Sequence, residues 1–206
     1  MKLLFLDFDG VLNSAATWCT YQAWYRANES RFVGLVSTPL ALRRERQLQM
    51  IGKSHLRLLD EVLRTTGASV VVSSSWRHGE TTESLRTLLR DAGLQLADRV
   101  IGRTPDRPSP RSKEWAQTEQ RGSEIARFLL EFPHAVEGVC ILDDDADMGA
   151  LTPWLVQTIT TSGLLPHHLN VIVEMLDRLG PVVQPASMGW RETRQEEPDG
   201  VSPRPE

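Results

Sequence analysis

The sequence has little cysteine and no long apolar run. Its two cysteines, Cys19 and Cys140, are too few and too far apart for a disulfide framework, and their apolar or aromatic neighbours indicate small core residues. No apolar run approaches the ~20 residues of a membrane-spanning helix. The apolar stretch at the N-terminus is broken by Asp7 and Asp9 and is followed by no small-residue cleavage site, which indicates a buried strand and not a signal peptide. We therefore expect a cytoplasmic protein.

The chain also lacks an internal repeat and a strong charge imbalance. Its net charge of -4 gives no overall attraction to nucleic acid, although a local basic patch could bind one. With 206 residues, of which 40% are hydrophobic and 24% charged, the composition is typical of one globular domain. We expect this domain over residues 1–180, followed by a flexible tail over residues 185–206 that is polar and rich in proline and glutamate.

Short apolar segments alternate with amphipathic segments along the chain. The short segments predict strands over Lys2–Phe8, Ala68–Ser73 and Gly138–Leu142, with weaker signals near Arg99–Ile101 and Leu155–Thr158. The amphipathic segments predict helices over His55–Thr65, Glu83–Ala92, Ser123–Phe132 and His168–Leu179. This alternation predicts an α/β fold with a mainly parallel sheet flanked by helices. In such a sheet, chemistry belongs at the carboxyl ends of the strands.

Two stretches interrupt the alternation. Residues 13–54 form a long insertion after the first strand, rich in aromatic residues early and in arginine late, and we expect a small cap there. Thr104–Thr118 contains three prolines and several charges, which predicts an ordered loop or lid. Both stretches are expected to overhang the carboxyl ends of the strands, so substrate choice should lie in them.

The first predicted strand ends in two aspartates, Asp7 and Asp9, followed by Gly10. Alternation along an extended strand places both carboxylates on the same side, and the glycine permits a tight turn directly after them. One carboxylate can then attack phosphorus while the other handles the proton. The structural alternative is a turn that happens to use aspartates. Two carboxylates at the end of a buried strand, however, repel each other and lose solvation unless a cation is present.

Polar clusters also follow the second and third confident strands. Ser73 and Ser74 precede a helix start whose free N–H groups form a natural phosphate cradle, and Arg77 could add a bidentate contact to phosphate oxygens. Serines that merely cap a helix are the alternative. Residues 143–147 hold four carboxylates, which would repel strongly unless a hard cation such as Mg²⁺ lies among them. A solvated acidic loop is the alternative there.

Together these clusters resemble the motifs of the haloacid dehalogenase (HAD) superfamily. Phe5–Leu12, Val71–Ser74 and Ile141–Asp147 are similar to its first, second and fourth motifs and occur in the same order. The third motif is a basic residue at the start of the preceding helix, which Arg121 fits, with Lys113 as the competing candidate. Further strings resemble the subgroup that includes the HAD phosphatase modules of Swiss army knife RNA repair proteins. These strings are Ser74–Arg77, Arg121–Ile125, Leu142–Asp144 and Gly163–Leu164.

The resemblance implies a Rossmann-like HAD fold and a magnesium-dependent phosphohydrolase that forms an aspartyl-phosphate. Asp7 would be the nucleophile and Asp9 the general acid/base. Phosphate oxygens would be bound by Ser73 or Ser74 and by Arg121 or Lys113, besides the contact suggested above for Arg77. The implied magnesium site draws on Asp7, Asp9, Asp143, Asp144 and Asp147. Spacing leaves open which of Asp143 and Asp144 contacts the metal, and Asp147 would support the site.

Basic residues lie beside the predicted mouth of this site. Residues 43–57 contain five Lys/Arg against one acidic residue, and residues 99–121 contain six against three. A basic mouth on an acidic chain suggests a nucleotide or a phosphate-ended nucleic acid as the partner. Four aromatic residues of the insertion could stack a base, although such residues more often pack a helical cap onto its domain. They are Trp18, Tyr21, Trp24 and Tyr25.

Three other functions stay open from sequence: phosphotransfer to an acceptor other than water, hydrolysis of sugar phosphates, and binding without catalysis. Hydrolases and phosphotransferases of this type share the covalent intermediate, so the sequence does not separate them. A degenerate binding module would be expected to lose one of the acidic clusters. Asp7, Asp9 and the acidic cluster at residues 143–147 are all intact, which argues against that last alternative.

Overall fold

Five parallel strands form the centre of the protein. The computed structural model describes residues 1–33, 39–105 and 121–181. The strands are β1 (Lys2–Leu6), β2 (Ser69–Val72), β3 (Val100–Arg103), β4 (Gly138–Asp143) and β5 (Leu155–Gln157). They lie in the order β3-β2-β1-β4-β5, so β1 occupies the middle of the sheet. All five predicted strands are confirmed, with small shifts at their ends.

Helices cover both faces of the sheet, and two further helices pack on each other in the insertion after β1. The helices are α1 (Ala15–Ala27), α2 (Leu40–Met50), α3 (Lys53–Thr66), α4 (Thr82–Ala92), α5 (Arg121–Glu131) and α6 (His168–Leu176). One apolar core lies between the sheet and α3, α4 and α6, and a second lies between the sheet and α5. Leu4 and Leu6 of β1 enter the first core, whereas Leu3 and Phe5 enter the second. Because both faces are buried, the strands are continuous apolar runs, as the Rossmann-like HAD fold requires.

The four predicted helices are all present, and the last is shorter than predicted. The predicted helix over His168–Leu179 ends at Leu176, and Asp177 caps it through its backbone N–H. The apolar pattern continues beyond this point because Leu179 follows, but that side chain is 88% exposed. The prediction from apolar periodicity therefore placed the end of the helix three residues beyond its last buried turn.

The insertion after β1, residues 13–54, is largely helical, although no helix bounds were predicted for it. Its helices α1 and α2 pack against each other. The ring of Tyr21 lies 5.1 Å from that of Trp18 and 6.0 Å from that of Tyr25, and the Arg46 guanidinium lies over the Tyr21 ring at 5.6 Å. The ring contacts therefore lie within α1, whereas the contact of Arg46 with Tyr21 joins α2 to α1; Trp18 stays exposed.

Both ends of the insertion lie at the carboxyl edge of the sheet. The Ala15 N–H donates to the Thr161 carbonyl at 3.1 Å, and the Gly52 N–H donates to the Leu12 carbonyl at 2.8 Å. The helices consequently leave and rejoin the domain beside the strand ends. This placement agrees with a cap, and the role of residues 13–54 as a cap over the site remains a prediction.

Two predicted segments lie outside the described residues. The loop over Thr104–Thr118 does so from residue 106 onward, and Lys113 with it, and the tail over residues 185–206 does so entirely. Within the described ranges, no helix has both the length and the apolar character needed to cross a membrane.

Candidate active site

Strand register brings three polar side chains together at the carboxyl edge of the sheet. Leu6 of β1 pairs with residues of both β2 and β4. One residue further along, the Asp7 N–H donates to the Leu142 carbonyl at 3.0 Å, and the Ser73 N–H donates to the Leu6 carbonyl at 2.8 Å. Asp7, Ser73 and Asp143 thus occupy neighbouring positions on the α5 side of the sheet.

Three carboxylates form a compact group at this edge: Asp7, Asp143 and Asp144, with ligand oxygens that all lie within 4.8 Å of one another. The first two are buried and Asp144 is half-buried. The Thr160 hydroxyl holds Asp144 in place by donating to its Oδ2 at 2.5 Å. Gly10 has φ +69°, and a Cβ atom there would overlap the Asp144 side chain. The missing side chain lets the first acidic cluster approach the last.

Asp9 and Asp147 lie outside this group of three carboxylates. The exposed Asp9 accepts hydrogen bonds from Asn13 Nδ2 at 2.6 Å and from Trp76 Nε1 at 3.0 Å. Asp147 Oδ2 accepts the backbone N–H of Arg121 at 3.0 Å and so anchors the first residue of α5. Asp9 therefore faces the site as a candidate acid/base, and Asp147 supports the site through Arg121. These positions do not support direct metal contacts by either side chain.

Arg121 brings positive charge to the carboxylates. Its Nη1 lies 3.5 Å from Asp7 Oδ1, and its Nε lies 3.8 Å from Asp143 Oδ2. Both distances are long for a charge-assisted hydrogen bond, so the guanidinium faces the group without closing on either oxygen. Of the two predicted cations, Arg121 is at the site, whereas Lys113 lies outside the described residues. The choice between them therefore remains a prediction.

Burial dominates the titration of the two inner carboxylates. It raises the pKa of Asp7 to about 6, although Arg121 and the Ser74 hydroxyl act in the opposite direction. It also raises the pKa of Asp143 to about 7, and the neighbouring charge of Asp7 adds to that effect. Two buried carboxylates in contact resist ionising together. A bound cation would therefore favour the state in which both carboxylates are ionised.

The two predicted serines have different surroundings. Ser73 is 1% exposed, and its hydroxyl oxygen has no hydrogen-bond partner in the described part of the chain. Ser74 Oγ accepts a hydrogen bond from the backbone N–H of Trp76 at 3.4 Å, and the Ser74 hydroxyl also lowers the pKa of Asp7. Buried hydroxyls without a partner are rare because they cost about 1–3 kcal/mol. Ser73 thus has a hydroxyl without a partner beside Asp7, whereas the Ser74 hydroxyl already interacts with Trp76 and Asp7.

Arg77 is placed away from the predicted phosphate cradle. Its side chain is 2% exposed and forms an ion pair with Glu124 of α5 at 2.7 Å. Its guanidinium also donates to the carbonyls of Ser74 (2.8 Å), Thr104 (3.2 Å) and Pro105 (3.2 Å). The predicted bidentate contact with phosphate is not supported by this position. The chain turns inward after Ser74, so Arg77 stabilises the loop that carries the two serines.

Three further side chains organise the site and were missed in the sequence. They are Asn13 and Trp76, which hold Asp9, and Thr160, which holds Asp144. Trp76 stands in one of the strings that resemble the RNA-repair subgroup, but that string gives no direction for its indole N–H. For Asn13 and Thr160, the sequence carries no signal, because the loop conformation decides which carboxylate each side chain meets.

The donor set fits a magnesium ion. All three grouped side chains offer carboxylate oxygens, which hard divalent cations prefer. Asp143 Oδ2 is buried and has no hydrogen-bond partner within the described ranges, so a ligand there would relieve an unfavourable state. Asp7, Asp143 and Asp144 are the residues that would hold the ion, and both candidates for the fourth-motif ligand therefore lie in the group.

Comparison with known proteins agrees with this geometry. A family model described as "HAD domain in Swiss Army Knife RNA repair proteins" matches residues 3–169. Neither the curated proteins nor the solved structures give a significant match. The matched region includes all three strand-end clusters and Arg121. This chain belongs to the family of HAD domains found in Swiss Army Knife RNA repair proteins.

Proposed function

We propose that this protein is a magnesium-dependent phosphohydrolase that cleaves phosphate monoesters through an aspartyl-phosphate on Asp7. The observation that carries the proposal is the setting of Asp7: a buried carboxylate at the end of the central strand, grouped with Asp143 and Asp144 and facing Arg121. A carboxylate whose pKa is raised by burial is a weak nucleophile until a cation stabilises its ionised form.

Positive charge must also overcome the repulsion between Asp7 and a phosphate dianion. Magnesium bound by Asp7, Asp143 and Asp144 would supply most of that charge and stabilise the charge that develops on the phosphoryl oxygens. Arg121 adds a second positive group from the α5 side, 3.5 Å from the nucleophile. The Ser73 hydroxyl, which has no hydrogen-bond partner among the described residues, would donate to a phosphoryl oxygen.

The first chemical step transfers the phosphoryl group to Asp7. A carboxylate oxygen of Asp7 forms a bond to phosphorus while the bond from phosphorus to the leaving oxygen breaks. The leaving oxygen takes the electron pair of that bond, and the carboxyl proton of Asp9 moves to it. Asp9 is suited to this task because it is exposed to the entering substrate while Asp7 lies at the bottom of the site.

The second step returns the enzyme to its starting state. A water oxygen attacks phosphorus, and the ionised Asp9 accepts a proton from that water. The bond from phosphorus to the Asp7 oxygen breaks, so Asp7 regains its carboxylate and inorganic phosphate leaves. Asp9 has regained its proton for the next cycle.

The proposed substrate is a nucleotide or a phosphate-ended nucleic acid. The family description names RNA repair proteins, which act on nucleic acid. Trp18 is 48% exposed on α1, the helix that leaves the domain beside the strand ends, and its ring offers a face for base stacking.

The arginines of α2 add less support than their number suggests. Arg43 forms an ion pair with Glu80 at 3.5 Å, and Arg44 donates to a backbone carbonyl at the start of α4 at 2.9 Å. Arg46 lies over an aromatic ring of α1. Since these side chains already dock α2 onto its surroundings, the substrate proposal depends on the family and on Trp18.

Phosphate release tests the proposed activity. The wild-type protein with Mg²⁺ would be offered para-nitrophenyl phosphate, nucleotides, oligonucleotides with 3′- or 5′-phosphates, and sugar phosphates. We expect turnover that EDTA abolishes and Mg²⁺ restores, with the highest kcat/KM for a nucleotide or oligonucleotide. Asp7→Asn should lower kcat/KM by roughly a thousand-fold or more, because the nucleophile is lost.

Asp145→Asn is the matched control. Asp145 belongs to the same acidic cluster but is exposed and lies outside the three-carboxylate group, so its variant should retain full activity. Thermal unfolding would show that both variants fold. Wild-type turnover by a folded Asp7→Asn protein would eliminate Asp7 as nucleophile. A preference for sugar phosphates would leave the mechanism intact and overturn the substrate class.

A further inference from the structure

We infer that Asn13 and Trp76 are positioning residues that fix the carboxylate of Asp9 for proton transfer, an inference that rests on the proposed function. Asn13 Nδ2 donates to Asp9 Oδ1 at 2.6 Å, and Trp76 Nε1 donates to Asp9 Oδ2 at 3.0 Å. Each carboxylate oxygen therefore has its own N–H donor. The two donors come from different loops, one after β1 and one after β2.

The Asn13 contact is set by the loop after β1. Asn13 is 8% exposed, and its backbone N–H donates to the Phe8 carbonyl at 2.9 Å. Its amide must face Asp9 with nitrogen, because the opposite orientation would set an oxygen against the carboxylate. This orientation leaves Asn13 Oδ1 buried and without a hydrogen-bond partner among the described residues. The contact with Asp9 is therefore kept at the cost of another polar atom.

The Trp76 contact is anchored in the protein core. The Trp76 indole packs edge-on against the fully buried ring of Phe8, with ring centroids 5.4 Å apart. The next residue, Arg77, is held by its buried ion pair with Glu124. Packing against Phe8 therefore restricts the indole, and the ion pair of Arg77 restrains the adjacent backbone. The indole can fix Asp9 rather than follow it.

Two donors on opposite oxygens prevent the Asp9 carboxylate from rotating about its terminal bond. Each oxygen keeps one lone pair, so a proton can still be carried on the side that faces the leaving group. General acid catalysis contributes about 10²–10⁴-fold only when the acid lies within hydrogen-bond reach of the oxygen it protonates. Loss of orientation should therefore remove part of that factor while Asp9 itself is intact.

A purely structural role explains the contacts less well. Asp9 is exposed, so a side chain there needs no partner to satisfy it, and water could replace both donors. The fold at this point is held by backbone contacts that do not involve the Asp9 side chain, such as the Leu12 N–H to the Phe8 carbonyl at 2.9 Å. What the two donors add is a defined direction for the carboxylate beside Asp7.

The test compares variants on two substrates that differ in the need for an acid. Trp76→Phe keeps the aromatic ring and removes the N–H, and Asn13→Ala removes the amide. The substrates are para-nitrophenyl phosphate, whose leaving group departs without protonation, and an alkyl phosphate, whose leaving group requires it. We expect kcat/KM to fall by about tenfold or more for the alkyl phosphate and by about threefold or less for the nitrophenyl ester.

Trp154→Phe is the control, because its indole N–H also donates to an oxygen, the Leu179 carbonyl at 3.5 Å, away from the site. It should affect both substrates equally. Equal losses on the two substrates for Trp76→Phe and Asn13→Ala would overturn the inference, as would no loss on either. Absence of turnover by the wild-type protein on every phosphate ester would instead refute the proposed function.

A spectroscopic measurement decides the contact independently of turnover. The Trp76 indole signal in a ¹⁵N–¹H NMR spectrum is assigned by its loss in Trp76→Phe. We expect Asp9→Asn to shift this signal and to leave the Trp154 indole signal in place. A Trp76 signal that does not respond to Asp9→Asn would overturn the inference even in an active enzyme.

Discussion

The strand-end site and the inserted helices are held in place by different kinds of contact. Asp7 and Asp143 continue the ladder of central strands whose apolar residues are fully buried. The insertion is joined by aromatic ring contacts and by the exposed ion pair between Arg31 and Glu45. One region owes its geometry to the core of the domain, and the other to contacts close to its surface.

This difference indicates which part of the molecule tolerates amino-acid substitution. Moving Asp7 or Asp143 would require a change of strand register, which the two cores on either side of the sheet oppose. Substitutions on the exposed faces of α1 and α2 leave those cores untouched. The carboxylate group is therefore fixed by the sheet, whereas the insertion, for which we propose a role in substrate preference, can accept substitutions without moving that group.

Replacing Arg77 with methionine should produce the largest effect, because it breaks a buried ion pair that supports the strand-end loop. Glu124 would lose the buried cation that it pairs with at 2.7 Å, and three carbonyls would lose a donor. We expect Arg77→Met to reduce the free energy of unfolding by about 3–5 kcal/mol, measured by urea denaturation.

Two controls define that result. Adding Glu124→Gln should recover part of the loss, and Arg90→Met, which breaks an exposed pair with Asp98, should cost about 1 kcal/mol or less. If Arg77→Met were as stable as the wild-type protein but defective in phosphate binding, Arg77 would instead have the role predicted from the sequence, a direct contact with phosphate oxygens.

Mg²⁺ should stabilise the folded protein more strongly as pH rises. We expect this effect to be smaller than that of Arg77→Met and to arise from the strand-end carboxylates. The folded-state pKa values of Asp7 and Asp143, about 6 and about 7, lie above their ordinary values. Their contribution to stability is therefore present below about pH 4 and is lost as pH rises through these values in metal-free protein. Mg²⁺ competes with the protons, so the melting temperature should respond to it more at pH 8 than at pH 5.

The same melting measurements with Mg²⁺ at two pH values distinguish acidic residues that would bind the metal from those that would not. Asp143→Asn should weaken both the response to Mg²⁺ and its pH dependence, whereas Asp145→Asn should leave them unchanged, since its side chain lies outside the group. A response to Mg²⁺ that is equal at pH 5 and pH 8 would contradict a metal site on Asp7 and Asp143.

Replacing Trp18 with alanine should produce the smallest effect on stability, within about 0.5 kcal/mol, because the side chain is 48% exposed. If the insertion reads a base, KM for a nucleotide or oligonucleotide should rise several-fold while kcat/KM for para-nitrophenyl phosphate stays unchanged. Leu40→Ala, which truncates a 75%-exposed apolar side chain on α2, serves as control. Unchanged KM for every nucleotide compound would remove Trp18 from substrate recognition.

Much of the fold and the inner site could be predicted because they follow from short-range patterns. Apolar runs located all five strands, and acidic residues at the carboxyl ends of β1 and β4 located the carboxylates that the sheet brings together. The helices of the insertion could not be placed in this way. Their aromatic residues pack mainly on each other, so the segment lacks the apolar stripe of a helix that packs on a sheet.

The sequence by itself determined that carboxylates would end the central strands, because alternation and apolar burial are local properties of the chain. Only the tertiary structure decided which polar groups meet: Asp144 joins Asp7 and Asp143, Asp9 turns to Asn13 and Trp76, and Arg77 turns inward to Glu124. The physical reason is that side chains after a strand end are directed by turns and by partners distant in the chain, whose positions no spacing of residues specifies.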